Sequence, residues 1–164
     1  MQDELFDLVD ESDRVVGTAP RGVVHAAGLR HRAAHVLAFD IKGRLFLQRR
    51  AFSKECSPGL WDTSAAGHLA SGEDYATAAR RELLEELGVA PLGELEFQFK
   101  LAASAETGQE FVAVFRTTVP DAVKPDPLEI IDGRWCTRAE IDAWLAASPE
   151  EFTGTFKHLW QRLG

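Results

Sequence analysis

Glu82, Glu85 and Glu86 stand at spacings i, i+3 and i+4, directly after Arg81, and a fourth glutamate, Glu73, lies a short way upstream. On a helix, side chains three and four apart are neighbours, so three carboxylates would share one patch. Like charges that close repel unless a cation sits among them. Hard divalent cations such as Mg²⁺ take oxygen ligands and reach a protein through a few carboxylates plus the phosphates of a substrate. The residue types and their spacing therefore predict metal-assisted chemistry on a phosphorylated small molecule.

A helix must hold those carboxylates, and the sequence predicts one from Asp74 to Leu87. Ala76, Leu83 and Leu87 fall on one stripe, with Ala79 beside it, and the glutamates fall on the adjacent face. Ser71, Gly72, Glu73 and Asp74 suit the start, where acidic groups meet the positive end of the helix dipole. Gly88 suits the end. The plain alternative is a solvated acidic face. Against it, the face has no i+4 lysines, and its nearest cations are Arg80 and Arg81. Gly67 and Gly72, with Leu69 and Ala70 between them, look like a strand and tight loop feeding the helix.

The run from Gly67 to Val89 resembles the Nudix box: Gly, five residues, Glu, seven residues, Arg-Glu, an aliphatic residue, any residue, Glu-Glu, any residue, Gly, an aliphatic residue. Gly67, Glu73, Arg81, Glu82, Leu83, Glu85, Glu86, Gly88 and Val89 fill every fixed position. The resemblance implies a loop–helix–loop in which Glu82, Glu85 and Glu86 bind Mg²⁺ or Mn²⁺, joined by the Gly67 carbonyl. It implies that Glu73 pairs with Arg81 to orient the helix, and that Glu73 and Gly88 are structural. The implied reaction is attack of water on a diphosphate attached to another group. Bound metals would neutralise phosphate charge and lower the pKa of a bound water, with a nearby glutamate, Glu82 being favoured, as general base.

The bulk properties agree. The chain of 164 residues suits one domain with a proper core. A net charge of −8 argues against an extended nucleic-acid or anionic-membrane surface, but not against a small phosphorylated substrate. Cys56 and Cys136 show no zinc spacing, and Cys56 has no adjacent His to activate it. No signal peptide or long apolar run stands out, so a cytoplasmic protein is expected. The oligomeric state is not legible.

The remaining elements are mixed strands and helices. Leu5 to Val9 and Arg14 to Thr18 predict an N-terminal hairpin, followed by a short helix from Arg21 to Ala27. Ala33 to Phe39, Arg44 to Arg49, Glu94 to Ala102, Glu110 to Thr118 and Ile130 to Cys136 read as strands, and Trp61 to Leu69 as extended. Thr137 with Glu140 forms a capping box for a helix through Ala147, and Ser148-Pro149 starts a last helix. The pattern is α+β. The resemblance implies an α/β/α sandwich with a mixed central sheet: one domain over 1–164, with an N-terminal extension at 1–30, the box at 67–89 and C-terminal helices at 137–164.

The sequence before the box is similar to the isopentenyl-diphosphate isomerase side of the Nudix superfamily, on His31 to Phe39, Gln48-Arg49-Arg50, Lys54, Pro58 to Trp61, Gly67-His68, and the Asp7 to Glu11 extension with His25. That resemblance implies phosphate-binding cations at Arg50 and Lys54, a match of Glu110 to the isomerase's catalytic glutamate, and a possible second metal site of His25, His31, His68 and Glu110. Imidazoles suit Mn or Zn more than Mg. Two departures stand out. The isomerase needs an acid/base cysteine where this chain has Ala66. It also has a metal-binding glutamate where this chain has Gly108, with Glu106 out of register. The intact glutamate set favours hydrolysis, with isomerisation and a non-catalytic nucleotide-binding module as the alternatives. His35 reads as structural. Trp61 is the one tryptophan placed to stack on a base or line an apolar pocket.

Overall fold

The computed structural model describes residues 3–163; residues 1, 2 and 164, at the ends of the expected extents, lie outside the described residues. The fold is organised by two strands whose side chains are apolar on both faces. β3 (His31–Phe39) runs parallel to β8 (Glu110–Thr118) along its whole length. Parallel pairs buried on both sides read as near-continuous apolar runs, and both strands do. Even-numbered Ala34, Val36 and Ala38 face one core with Leu83 and Leu87. Odd-numbered Ala33 and Leu37 face a second core with Ile141, Phe156 and Leu159. One face is therefore covered by α2 (Tyr75–Leu87), the other by α3 (Arg138–Ala147) and α4 (Gly154–Leu163).

The rest of the sheet is antiparallel. β7 (Glu96–Leu101) lies on β8. β4 (Leu45–Arg50) meets β3 at Phe39 and Leu45, then turns away to pair with β5 (Trp61–Asp62) and β9 (Ile130–Cys136). β6 (Ala65–His68) takes the freed edge of β3. A mixed sheet between helices results, as the resemblance implied. Among the described residues, no helix is long and apolar enough to cross a membrane.

β1 (Leu5–Val9) and β2 (Val15–Pro20) form the expected hairpin as a separate ribbon, followed by α1 (Arg21–Ala27). Asp13 turns the ribbon with φ of 63° and points its buried carboxylate inward. That carboxylate accepts hydrogen bonds from Arg32 Nε (2.7 Å), Tyr75 Oη (2.7 Å) and Lys100 Nζ (2.6 Å). Asp7 accepts from the Ser71 hydroxyl (2.7 Å) and the Gly72 backbone N–H (3.0 Å). Polar bonds thus tie the ribbon to β3, β7, α2 and the loop that leads into α2.

Two expectations are corrected. Trp61 to Leu69 is not one extended run. It breaks at Thr63 and Ser64, where Thr63 N bonds the Asp62 side chain (2.7 Å) and Ser64 Oγ bridges Phe46 O and Ala38 N (2.6 and 2.8 Å). The last helix does not start at Ser148-Pro149, which makes only a 3-10 turn, Pro149–Glu151. Phe152 is instead extended beside Trp61, and Thr153 N donates to Trp61 O (3.0 Å). The helix restarts with Thr153 Oγ1 accepting from Phe156 N (3.0 Å).

Candidate metal and phosphate site

α2 forms where predicted. Asp74 accepts from Thr77 N (2.7 Å) at its start, and Gly88, at φ of 67°, sends its N–H to Leu84 O at its end. Packing of Ala78, Ala79, Leu83 and Leu87 on the sheet fixes the rotation of the helix. That rotation buries Glu82 and Glu86, at 9% and 6% exposure, and leaves the Glu85 side chain 57% exposed. The three carboxylates are therefore not equivalent, which spacing alone did not show. Burial pushes Glu82 up to about 7, against the pull of Arg81. Burial, then the neighbouring Glu82 charge, pushes Glu86 up to about 8.

Each carboxylate is held. Arg81 grips Glu73 with two nitrogens (Nε 2.8 Å, Nη2 2.9 Å), reaches Glu82 and Glu85 with Nη1 (2.6 and 3.3 Å), and donates to His68 O (3.0 Å). The Glu73–Arg81 pair is the one expected. Glu86 Oε1 accepts from Ala66 N and from Gln48 Nε2, both at 2.9 Å. Gln48 is a site residue that sequence reasoning missed. It sits in an ordinary strand pattern, and only the fold brings it under α2. A Cβ at Gly67 would land on the Glu82 carboxyl group. Glycine is thus required where β6 passes the helix.

Side chains alternate along β6, so His68 emerges on the opposite face from the carboxylates. There it meets His31, from the start of β3, and His25, from α1. Ring nitrogens of the three lie within 4.8 Å of one another. His68 Nε2 is 2.7 Å from Glu110 Oε2, and His31 Nε2 is 3.3 Å from the same oxygen. His25 Nδ1 lies 3.5 Å from Glu55 Oε2, so the two least well bonded ring nitrogens, His25 Nδ1 and His31 Nε2, each face a carboxylate rather than a well-formed hydrogen-bond partner. Burial opposes the Glu110 charge, but His68 and His31 outweigh it and hold this carboxyl well below the usual range. Burial and the neighbouring His68 lower His25. Phe6, 1% exposed, stacks on His68 and His31 (centroids 4.9 and 5.7 Å) and closes the back of the cluster. Phe6 was not singled out from sequence, because it lies far away in the chain on the ribbon.

Both clusters open into one cavity of about 660 Å³. Arg50 and Lys54 line it, with Arg50 3.8 Å from Asp62 and Lys54 paired to Glu129. His35 borders it as well, but is only 5% exposed, with Nδ1 2.9 Å from Thr63 Oγ1 and 3.8 Å from Asp62 Oδ1, the surroundings of a structural residue. Trp61 does not line it. Its ring is buried edge-on against Trp144 (5.0 Å), which removes the expected stacking role. Glu106 and Gly108 both reach the cavity wall.

The site tolerates a hard cation by its chemistry. Two desolvated carboxylates, an exposed third and a side-chain-free Gly67 beside them form an oxygen-rich cluster whose burial is unfavourable without positive charge. The histidine cluster presents buried ring nitrogens in the same way to a softer ion.

Comparisons with known proteins bear on this geometry. The NUDIX domain model matches residues 29–156. An uncharacterized Nudix hydrolase of Streptomyces coelicolor is 41% identical over 144 residues, covering 87% of this chain and 80% of that protein. A Nocardia farcinica protein named isopentenyl-diphosphate Delta-isomerase is 40% identical over 152 residues, covering 90% and 87%. A solved Deinococcus radiodurans structure superposes with a TM-score of 0.82 at 31% identity, covering 97% of this chain and 98% of that one. A MutT protein from Methanosarcina mazei shares the fold, with a TM-score of 0.62 at 23% identity over 79% and 89% of the two chains.

Proposed function

The chain belongs to the NUDIX domain family, whose members generally use divalent metal ions, and on that footing we propose a Mg²⁺- or Mn²⁺-dependent hydrolase. It cleaves the diphosphate linkage of a nucleoside diphosphate derivative or another small organic diphosphate. One observation carries the reading: Glu82 and Glu86 are buried side by side and braced by Arg81, Gln48 and Ala66 N, and no lysine or arginine among the described residues bonds Glu86. So many fixed partners around two repelling carboxylates suit a site built to be completed by a cation.

In this reading Glu82, Glu85, Glu86 and the Gly67 carbonyl hold the metal, which when bound supplies charge neutralisation and an acidified water. Arg50 and Lys54 hold the substrate's phosphates, for which arginine's planar fork is well matched. Glu82 takes the proton as the water oxygen joins phosphorus and the bridging P–O bond breaks. Arg81 fixes the Glu82 carboxylate, and Glu73 fixes Arg81. His25, His31, His68 and Glu110 would form a second site for Mn²⁺ or Zn²⁺, supported by the three imidazoles whose ring nitrogens lie within 4.8 Å of one another and by the Glu110 oxygen beside two of them.

Isomerisation of a prenyl diphosphate is the weaker reading. It calls for an acid/base group opposite Glu110, and the methyl group of Ala66 has no proton to exchange. The two cysteines are unpaired, which agrees with a reducing cytoplasm. The test is phosphate and nucleotide release from a panel of diphosphates with Mg²⁺ or Mn²⁺. Glu85→Gln and Glu86→Gln are expected to lose at least about a hundredfold in kcat, on the scale of removing a group that stabilises the transition state. Full activity in both variants would remove the hydrolase reading.

A further inference from the structure

We infer, on the second-site reading above, that Glu55 is a positioning residue for the histidine cluster: it holds the single proton of the neutral His25 ring on Nδ1, so that the Nε2 lone pair faces the other imidazoles and Glu110. The ring nitrogens that converge are all Nε2. His25 Nε2 is 3.4 Å from His68 Nε2, and the Nε2 atoms of His68 and His31 are 2.7 and 3.3 Å from Glu110 Oε2. A metal takes neutral imidazole through one ring nitrogen, and the hydrogen bond made by the other decides which one. His31 shows how that choice is made. Its Nδ1 lies 2.8 Å from Leu29 O. A carbonyl only accepts, so Nδ1 carries the proton and Nε2 keeps its lone pair.

Behind His25 the corresponding group is a side chain. Glu55 Oε2 lies 3.5 Å from His25 Nδ1, and an ionised carboxylate, like a carbonyl, only accepts. That distance is at the edge of hydrogen-bonding range, and a side chain that is 54% exposed has room to draw in. Glu55 meets the ring at Nδ1, whereas the convergent atoms are at Nε2, so it acts through His25 and is not itself a ligand. The backbone around it is pinned. Arg50 Nε donates to Cys56 O (3.1 Å), Lys54 N donates to Ala51 O (3.2 Å), and the Lys54 ammonium pairs with Glu129. A braced loop thus aims the carboxylate, and a carboxylate behind a metal-binding histidine fixes the ring and raises its basicity. The glycine at 108 gives this partner weight. Among the described residues, Glu110 is the one carboxylate that touches the convergent nitrogens. Glu55 adds negative charge behind His25 without taking a ligand position.

The full chain is isotopically labelled on its histidine ring nitrogens, and NMR locates the ring proton of His25 in the metal-free wild type, Glu55→Gln and Glu55→Ala. Zn²⁺ is then titrated into each, with His68→Ala as the control, and the ring signals report which imidazoles it reaches. In the wild type, and in Glu55→Gln, whose amide oxygen still accepts, the proton is expected on Nδ1. In Glu55→Ala it should move to Nε2. Zn²⁺ affinity should fall about tenfold or more in Glu55→Ala, the scale for losing the outer partner of a metal ligand, and should recover in larger part in Glu55→Gln. Glu55 is exposed, so its replacement leaves the fold intact, and equal melting temperatures check that. An unchanged ring proton or an unchanged Zn²⁺ affinity in Glu55→Ala overturns the role of Glu55. A loss of affinity with the proton still on Nδ1 makes Glu55 a ligand and overturns it too. Failure of the second site itself looks different. Zn²⁺ then leaves the His25, His31 and His68 signals of the wild type untouched, while the ring proton still reports whether Glu55 holds His25.

Discussion

Replacing Glu86 with glutamine should make the metal-free protein more stable, not less. The amide oxygen of the new side chain can still accept from Gln48 Nε2 and Ala66 N, the two bonds that Glu86 makes at 2.9 Å. The burial of a negative charge beside Glu82 disappears. A carboxyl whose folded pKa lies above its unfolded value of 4.5 favours folding most below pH 4.5. It loses that contribution as pH rises through the folded value, here about 8 for Glu86 and about 7 for Glu82. Each unit of difference corresponds to about 1.4 kcal/mol. Two carboxylates that share their repulsion release less than the full amount, so about 2 kcal/mol is expected for the variant at pH 8. For a chain of this size that is about 4–8 °C in Tm. At pH 4.5 wild type and variant should melt together, because a protonated Glu86 resembles the amide. Saturating Mg²⁺ at pH 8 should reverse the order, since a ligand at a hundred times its Kd adds about 2.7 kcal/mol to the protein that binds it. Thermal melts at both pH values, with chelator and with Mg²⁺, read all of this. A metal-free variant less stable at pH 8, or a difference that ignores pH, would refute the reasoning.

Three further outcomes follow from the same geometry. Gly67→Ala places a methyl group on the Glu82 carboxyl and should cost about 1–3 kcal/mol as an overpacked site, with activity falling much further than stability, as urea melts and kcat would show. Asp13→Ala leaves Arg32, Tyr75 and Lys100 without their shared carboxylate. Because Lys100 is more than a third exposed, the loss should fall below the roughly 3–5 kcal/mol of a fully buried pair, at about 2 kcal/mol by urea denaturation. His68→Ala should weaken Mn²⁺ or Zn²⁺ binding by calorimetry at least about tenfold, the scale for removing a metal-site group, while Mg²⁺ binding at the carboxylates changes little; equal losses for both ions would argue against two separate sites.

Much of this site was legible because its chemistry is local. Asp74, the alternating apolar residues and Gly88 specify α2 within one short stretch, and Glu73 with Arg81 needs only that helix to meet. The strands β3 and β8 were legible as apolar runs, but their parallel pairing was not. That pairing sets His31 opposite Glu110, and the β6 register sets His68 opposite Ala33, so the histidine cluster depends on contacts far apart in sequence. Gln48, Phe6 and Asp13 were missed for the same reason. Asp13 reads as a turn residue, and its burial exists only because Arg32, Tyr75 and Lys100 arrive from three other elements. The broken last helix belongs with these, since it is Trp61, distant in the chain, that holds Phe152 and Thr153 extended.

The family match begins at residue 29, yet the residues before it are built into the site. His25 comes from α1, Phe6 backs the histidines from β1, and Asp7 holds Ser71 and Gly72 in the loop that starts the box helix. Among the described residues the ribbon shares no strand pairing with the main sheet, so side-chain contacts and a few backbone bonds are what attach it. That distinguishes the two clusters physically. The carboxylate cluster is made within the matched domain and needs only β4, β6 and α2. The histidine cluster is complete only when the ribbon is docked. Loss of the Asp13 bonds should therefore loosen His25 and Phe6 first, and weaken binding at the imidazoles before binding at Glu82 and Glu86.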